Sequence, residues 1–224
     1  MVIFLCAFST VRNSARKVSV PIIEFIGEDN LFITHETVSK LLIQNQQSVA
    51  NKPKEIIDLN ILETALNSNP MIKEAQVYIN VDGALTAEVV QKKPIARVST
   101  NASYYVDDDG SYMPLSTNYS ARVPLVTGFI NKNELHNVYT IAKKVQNDEF
   151  LKTHVVEIHQ NENKSIDLKF RTDDFKIQLG ALNQLNKKIN NLKVFYQKAM
   201  RDKTLNSYSV VNLRFDKQVI CTKK

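Results

Sequence analysis

EAQVYINVDGALTAEV, residues 74–89, is the stretch that decides the fold of the first half of this 224-residue chain. Ala75, Val77, Ile79 and Val81 alternate with Glu74, Gln76, Tyr78 and Asn80, and beyond Asp82-Gly83 the alternation resumes at Leu85, Ala87 and Val89. A period of two on both sides of Asp-Gly predicts a β-hairpin with one apolar face, and the dipeptide itself predicts a two-residue type I′ turn.

Upstream, the period changes to that of helices. Asp58 is a candidate N-cap ahead of Leu59, Leu62 and Leu66, which share one helical face, and Asn67-Ser68-Asn69-Pro70 stops that helix. Earlier still, Thr34 is a candidate N-cap for a helix to about Gln44, with Val38, Leu41 and Leu42 at i, i+3, i+4 spacing. A polar loop with Pro53 joins the two. VSVPIIEF, from Val18 to Phe25, is β-rich with an early proline, which suits an edge strand, and Gly27 to Asn30 turn the chain. The unit from Val18 to about Lys92 is therefore strand, helix, helix, strand, strand: a small sheet with two helices on its apolar face.

Beyond Pro94 the pattern shifts to short strands at 104–106, 112–115 and 123–126, with a turn at Asp107-Asp108-Asp109-Gly110. Leu135, Val138, Ile141, Ala142 and Val145 predict a helix over 133–145. Alternating strands follow at 155–159, 165–170 and 175–179. Leu182, Leu185, Ile189, Leu192 and Tyr196 then mark a long helix ending near Arg201, with Lys187, Lys188, Lys193 and Lys198 expected on its outer face. Strands at 210–215 and 219–221 close the fold. The class is α+β, and the expected organisation is a short segment at 1–17, one domain at 18–93 and a second, mainly antiparallel β domain with two or more helices at 94–224.

Composition bounds the function. Hydrophobic residues make up 43% of the chain, with 5 glycines and no tryptophan, so the chain has the material for real cores and lacks low-complexity character. The balance of 29 Lys+Arg against 23 Asp+Glu gives +6, but the basic residues are dispersed among acids and read as a solvated surface, without nucleic-acid binding. Cys6 and Cys221 have no CxxC spacing, and His35, His136, His154 and His159 form no HExxH, so no metal or cofactor is expected. His154 and His159, five apart in a strand-like stretch, are expected on opposite faces. The Asp107–Asp109 run lacks the Glu that a calcium loop requires at its twelfth position, where Asn118 stands, and reads as a hairpin turn. No GxSxG, Walker or GxGxxG motif occurs, so neither an enzyme nor a small-molecule substrate is expected.

Met1 to Phe8 is apolar without a break, and Arg12, Arg16 and Lys17 follow it. Eight residues are too few to span a bilayer, which takes about 20 in a helix, and no basic region precedes them as in a secretory signal. The run reads as the outer end of a transmembrane helix. At the other terminus, the final strand is a natural sheet edge. Two readings stand side by side there: Lys217, Lys223 and Lys224 protect the edge, or a partner strand pairs with it.

The unit at 18–92 resembles the POTRA domain of the bacterial cell-division family FtsQ/DivIB. Lys93-Pro94-Ile95-Ala96, Tyr104-Tyr105-Val106-Asp107 with Gly110, and Val123-Pro124-Leu125-Val126-Thr127-Gly128 are similar to the start of that family's β domain. Val211-Asn212-Leu213-Arg214-Phe215-Asp216 resembles its Asp-Leu-Arg-Tyr-Asp strand, with Asn212 and Phe215 as departures. The resemblance implies a non-catalytic, single-pass inner-membrane protein. Its periplasmic region would recruit FtsB- and FtsL-like bitopic partners to the division septum. It further implies that the partner pairs with the last strand, at Arg214, Phe215, Lys217, Gln218, Val219 and Ile220. A POTRA-bearing outer-membrane assembly or secretion protein is the alternative, but it needs further repeats or a many-stranded barrel for which the chain has no room.

Overall fold

The computed structural model describes residues 18, 20–28, 30–46, 53, 56–80, 82–215 and 218–224. The run at 1–17, most of the loop around Pro53, Val81 and the turn residues Asp216 and Lys217 lie outside them. The described chain forms two compact units. One takes the residues as far as Lys92 together with Ser116–Ser120, and the other takes Lys93–Leu115 and Ala121–Lys224.

The first unit consists of β1 (Ile22–Ile26), α1 (His35–Gln46), α2 (Leu59–Asn67), β2 (Ile72–Ile79) and β3 (Leu85–Gln91). Its sheet runs β1-β3-β2, so β1 is an edge strand and lies parallel to β3. A parallel pair needs a long crossover, and both helices serve as one. Each helix starts on a side-chain cap: Thr34 Oγ1 accepts from the Thr37 N–H at 3.2 Å, and Asp58 Oδ1 accepts from Asn60 and Ile61 at 3.0 and 3.3 Å. Val38, Leu42, Leu62 and Leu66 from the helices and Ala75, Val77, Leu85, Ala87 and Val89 from the hairpin bury together.

The hairpin turn differs from the expected two-residue form. Gly83 N–H donates to Asn80 O and Asn80 N–H donates to Ala84 O, while Gly83 takes φ +93°. The glycine serves the longer loop, in which a left-handed residue follows the turn.

The second unit carries nine strands: β4 (Pro94–Ser99), β5 (Ser103–Asp107), β6 (Tyr112–Met113), β7 (Leu125–Gly128), β8 (Val155–Gln160), β9 (Ile166–Phe170), β10 (Lys176–Gly180), β11 (Tyr208–Asn212) and β12 (Ile220–Lys223). Its helices are α3 (His136–Gln146), α4 (Glu149–His154) and α5 (Leu185–Arg201). The sheet order is β12-β11-β10-β9-β8-β7-β4-β5-β6. Five of its pairings are antiparallel, and three are parallel. Two of the parallel pairs are the ones bridged by helices: β7 to β8 through α3 and α4, and β10 to β11 through α5. Val138, Ile141, Val145, Leu151, Ile189, Leu192 and Tyr196 from these helices share one core with Val126, Ile158, Leu168, Ile177 and Val211 of the sheet.

Several boundaries move from their expected places. The helix expected from 133 starts at His136, because Asn131 takes the Asn133 and Glu134 N–H groups in a turn of its own. The strand expected at 112–115 shrinks to Tyr112–Met113, and the one at 123–126 slides to Leu125–Gly128. His154 ends α4 instead of opening a strand; its ring packs among Phe150, Phe170 and Tyr196. Lys188, expected outside, is only 6% exposed.

Gly128 closes β7 at φ +92°, and a Cβ there would meet Gln160 O at 2.1 Å. Gly128→Ala is therefore expected to destabilise the second unit by about 3 kcal/mol or more, measured as a fall in denaturation midpoint.

Asp148 joins three helices. Its Oδ1 accepts from Leu151 N–H to cap α4, and its Oδ2 lies 2.6 Å from Lys193 Nζ of α5 and 3.9 Å from Lys144 Nζ of α3. Burial pulls its carboxyl upward, but the Lys193 bond, the Leu151 N–H and the two lysine charges outweigh it and hold the group below the ordinary aspartate value. On the unfolded chain an aspartate titrates near about 3.9. The stabilisation is therefore complete above that value and is lost as the pH falls through the lower, folded one. Acid titration of stability should show this loss in the wild type and a shallower slope in Asp148→Asn.

Candidate partner-binding edge

β12 ends the sheet. It pairs antiparallel with β11, in register Asn212↔Ile220, Val211↔Cys221 and Val210↔Thr222, and among the described residues the sheet order gives it no neighbour on its other side. A bulge between Tyr208 and Val210 interrupts the ladder, and Ser209 Oγ spans it, donating to Thr222 O and Lys223 O at 3.2 and 3.3 Å. Past the bulge, Lys224 N–H donates to Ser207 O at 2.9 Å. Backbone groups alternate sides along a strand, so with Lys224 facing inward, the N–H groups of Cys221 and Lys223 face out from the sheet.

Arg214 and Phe215, expected on a strand reaching Phe215, lie beyond the end of β11. Leu213 N–H still reaches Gln178 O of β10 at 2.9 Å, but the Arg214 N–H is taken by Asn212 Oδ1 at 3.0 Å, which turns the chain out of the ladder. Phe215 is 47% exposed and Ile220 41%. Gln218 is exposed, whereas Val219 is half-buried and packs against the core, so much of its surface is already spent inside the protein. Lys217 lies outside the described residues. Ile220 alone of the named residues belongs to β12, and Arg214, Phe215, Gln218 and Val219 flank its start.

Sequence reasoning missed what lies under Arg214. The stem of that side chain runs over Gly180, the last residue of β10, and the ammonium of Lys188 sits buried just beyond in the β10–α5 connection. The spacing held a signal: Lys188 is three residues past Leu185 and four before Leu192, on the apolar side of the helix.

Elsewhere the polar residues make local bonds. Thr127 Oγ1 is shared by Glu157 Oε1 at 2.7 Å and His159 Nδ1 at 2.8 Å. Asp167, opposite His159 in the ladder, instead pairs through Oδ2 with Lys176 and Asn161, each at 2.8 Å. Asp107 Oδ1 accepts from Asp109 and Ser111 N–H groups, and Gly110 follows at φ +82°, which makes the acidic run a turn. Burial raises the Cys221 thiol above its usual value, which disfavours the reactive thiolate. Among the described residues, no group of three or more His, Cys, Asp or Glu could hold a metal ion, and no helix is long and apolar enough to cross a membrane.

A family model described as FtsQ/DivIB, C-terminal related, matches residues 93–222, more than half of the chain. The chain belongs to the FtsQ/DivIB family. A model for a POTRA-like domain matches residues 14–90. No curated protein matches the chain. Domains of these two kinds are typically non-catalytic scaffolds, and the FtsQ/DivIB family acts in cell division. Residues 214–220 lie inside the FtsQ/DivIB match.

Because Phe215 and Gln218 project from the fold, their replacement by alanine is expected to change stability by less than about 0.5 kcal/mol, checked by thermal melting. Any loss of binding in these variants then reads recognition alone.

Proposed function

We propose that this FtsQ/DivIB-family protein is a divisome scaffold that recruits FtsB- and FtsL-like bitopic proteins by adding a partner strand to the free edge of β12. The observation that carries the reading is the edge itself: β12 ends a nine-stranded sheet with outward N–H groups, beside an exposed aromatic ring and an exposed guanidinium. Backbone pairing of this kind supplies affinity, and the side chains alongside it supply choice of partner. Arg214, Phe215, Lys217, Gln218, Val219 and Ile220 form the recognition surface, with Phe215 as its aromatic anchor. The protein works at the periplasmic face of the inner membrane at the division septum. It binds no cofactor and carries out no chemistry of its own.

The test is a titration of the protein against a peptide from the same organism's FtsB-like protein. Saturable binding is expected for the wild type and for Cys221→Ala, which keeps the outward N–H. Cys221→Pro removes that donor, and Phe215→Ala removes the ring; each is expected to weaken binding at least about tenfold, or about 1.4 kcal/mol. Equal affinity of Cys221→Pro and Cys221→Ala would overturn strand addition.

A further inference from the structure

We infer that Gly180 and Lys188 are positioning residues for Arg214, setting partner affinity at the β12 edge without touching the partner. The inference rests on the reading of that edge as the recruitment surface and adds to it the part of the fold that presents the guanidinium.

Arg214 follows the turn out of β11, and its backbone N–H is tied to Asn212 Oδ1. What directs its side chain is the surface beneath. A Cβ on Gly180 would lie 2.9 Å from Arg214 Cγ, 3.6 Å from Cδ and 3.7 Å from Cβ, so the stem lies flat across the glycine and any side chain there would lift it. Gly180 stands at φ +74°, a conformation that glycine adopts without strain and an L side chain does not.

The connection holding Gly180 is itself strained. Four residues on, Gln184 also takes a left-handed conformation, at φ +51°, and caps α5 without any side-chain bond. A non-glycine residue holds such a conformation only where its surroundings over-determine it. Lys188 supplies that determination. From the first turn of α5 its ammonium reaches back to donate to Leu179 O at 3.1 Å, to Ala181 O and to Asn183 Oδ1 at 3.0 Å, so it grips the connection on both sides of Gly180. A buried lysine is rare unless its donors are met, and here they stitch one short segment to the helix that follows. A cleft of about 560 Å³ opens at this place, lined by Gly180, Leu182, Asn183, Lys188 and Arg214 among others. Within it, Lys188 fixes the floor, Gly180 keeps it flat and Arg214 lies on top. Fixing a flexible side chain before binding lowers the entropy lost on association.

The experiment is a double-mutant cycle on the whole chain. Gly180→Ala and Lys188→Met are made alone and in an Arg214→Ala background, with affinity for the FtsB-like peptide and melting temperature measured for each. Positioning through Arg214 predicts that each variant weakens binding by about tenfold in the wild type and leaves it unchanged once Arg214 is gone, while the fall in melting temperature from Lys188→Met is the same in both backgrounds and that from Gly180→Ala shrinks only by the relieved contact with the Arg214 stem. A second readout needs no partner. The Arg214 Nε–Hε NMR resonance of the free protein should move toward the position of free arginine in Gly180→Ala. This milder variant serves if Lys188→Met does not fold. Equal losses of binding in both backgrounds, or an unmoved Arg214 resonance, would overturn the inference. A wild type that binds no peptide would sink the recruitment surface instead, and the resonance would still decide whether Gly180 positions Arg214.

Discussion

Every strand inside a sheet satisfies its backbone on two sides, and every strand at an edge on one. The nine-stranded sheet has two such ends, and the protein treats them differently. At one end β6 is two residues long, and the Lys132 ammonium sits 3.6 Å above the centre of the Tyr112 ring. A strand that short offers little to copy, and a charge beside it discourages pairing. At the other end β12 runs for four residues, its outward N–H groups open along it. The two edges therefore differ in strand length and in the cation–aromatic pair that flanks β6.

The position of β12 follows from the way the rest of the sheet is wound. Parallel neighbours cannot be joined by a tight turn, so β7 to β8 and β10 to β11 each carry helices across the same face. Those helices bury Val138, Ile141, Leu192 and Tyr196 against the strands. The opposite face of β7 to β10 is left with Thr127, Glu157, His159, Asp167, Lys169 and Lys176, which the register sets side by side in rows. Polar bonds between neighbours, such as Thr127 to Glu157 and Lys176 to Asp167, hold this face without demanding a cover.

Much of this was legible in the sequence where one physical signal dominated. The alternation at 74–89, the Asp58 cap and the apolar stripe through Ile189, Leu192 and Tyr196 each correspond to an element of the structure. The misses came where signals competed. In β4, Ile95, Ala96 and Val98 are all buried and the register slips between Pro94 and Ala96, so no period of two survives to be read. Helix α4 is six residues long, too short for a helical period, and only its Asp148 cap marks it. Val210 to Phe215 reads as one strand, yet a single bond from the Arg214 N–H to Asn212 Oδ1 ends it early; a contest between a ladder bond and an Asx turn leaves no trace in hydrophobicity. Lys188 was misplaced for a related reason. Charge argued for the surface, and only the fold supplied the three acceptors that let an ammonium lie inside.

β12 is the last strand of the described fold, and it has its place only after β11 has docked beside β10, which in turn waits for the whole of α5. Without β12 the sheet would end on β11 and show a different row of side chains to the solvent. The β12 edge therefore comes into being late, after the strands and helix that order it are in place.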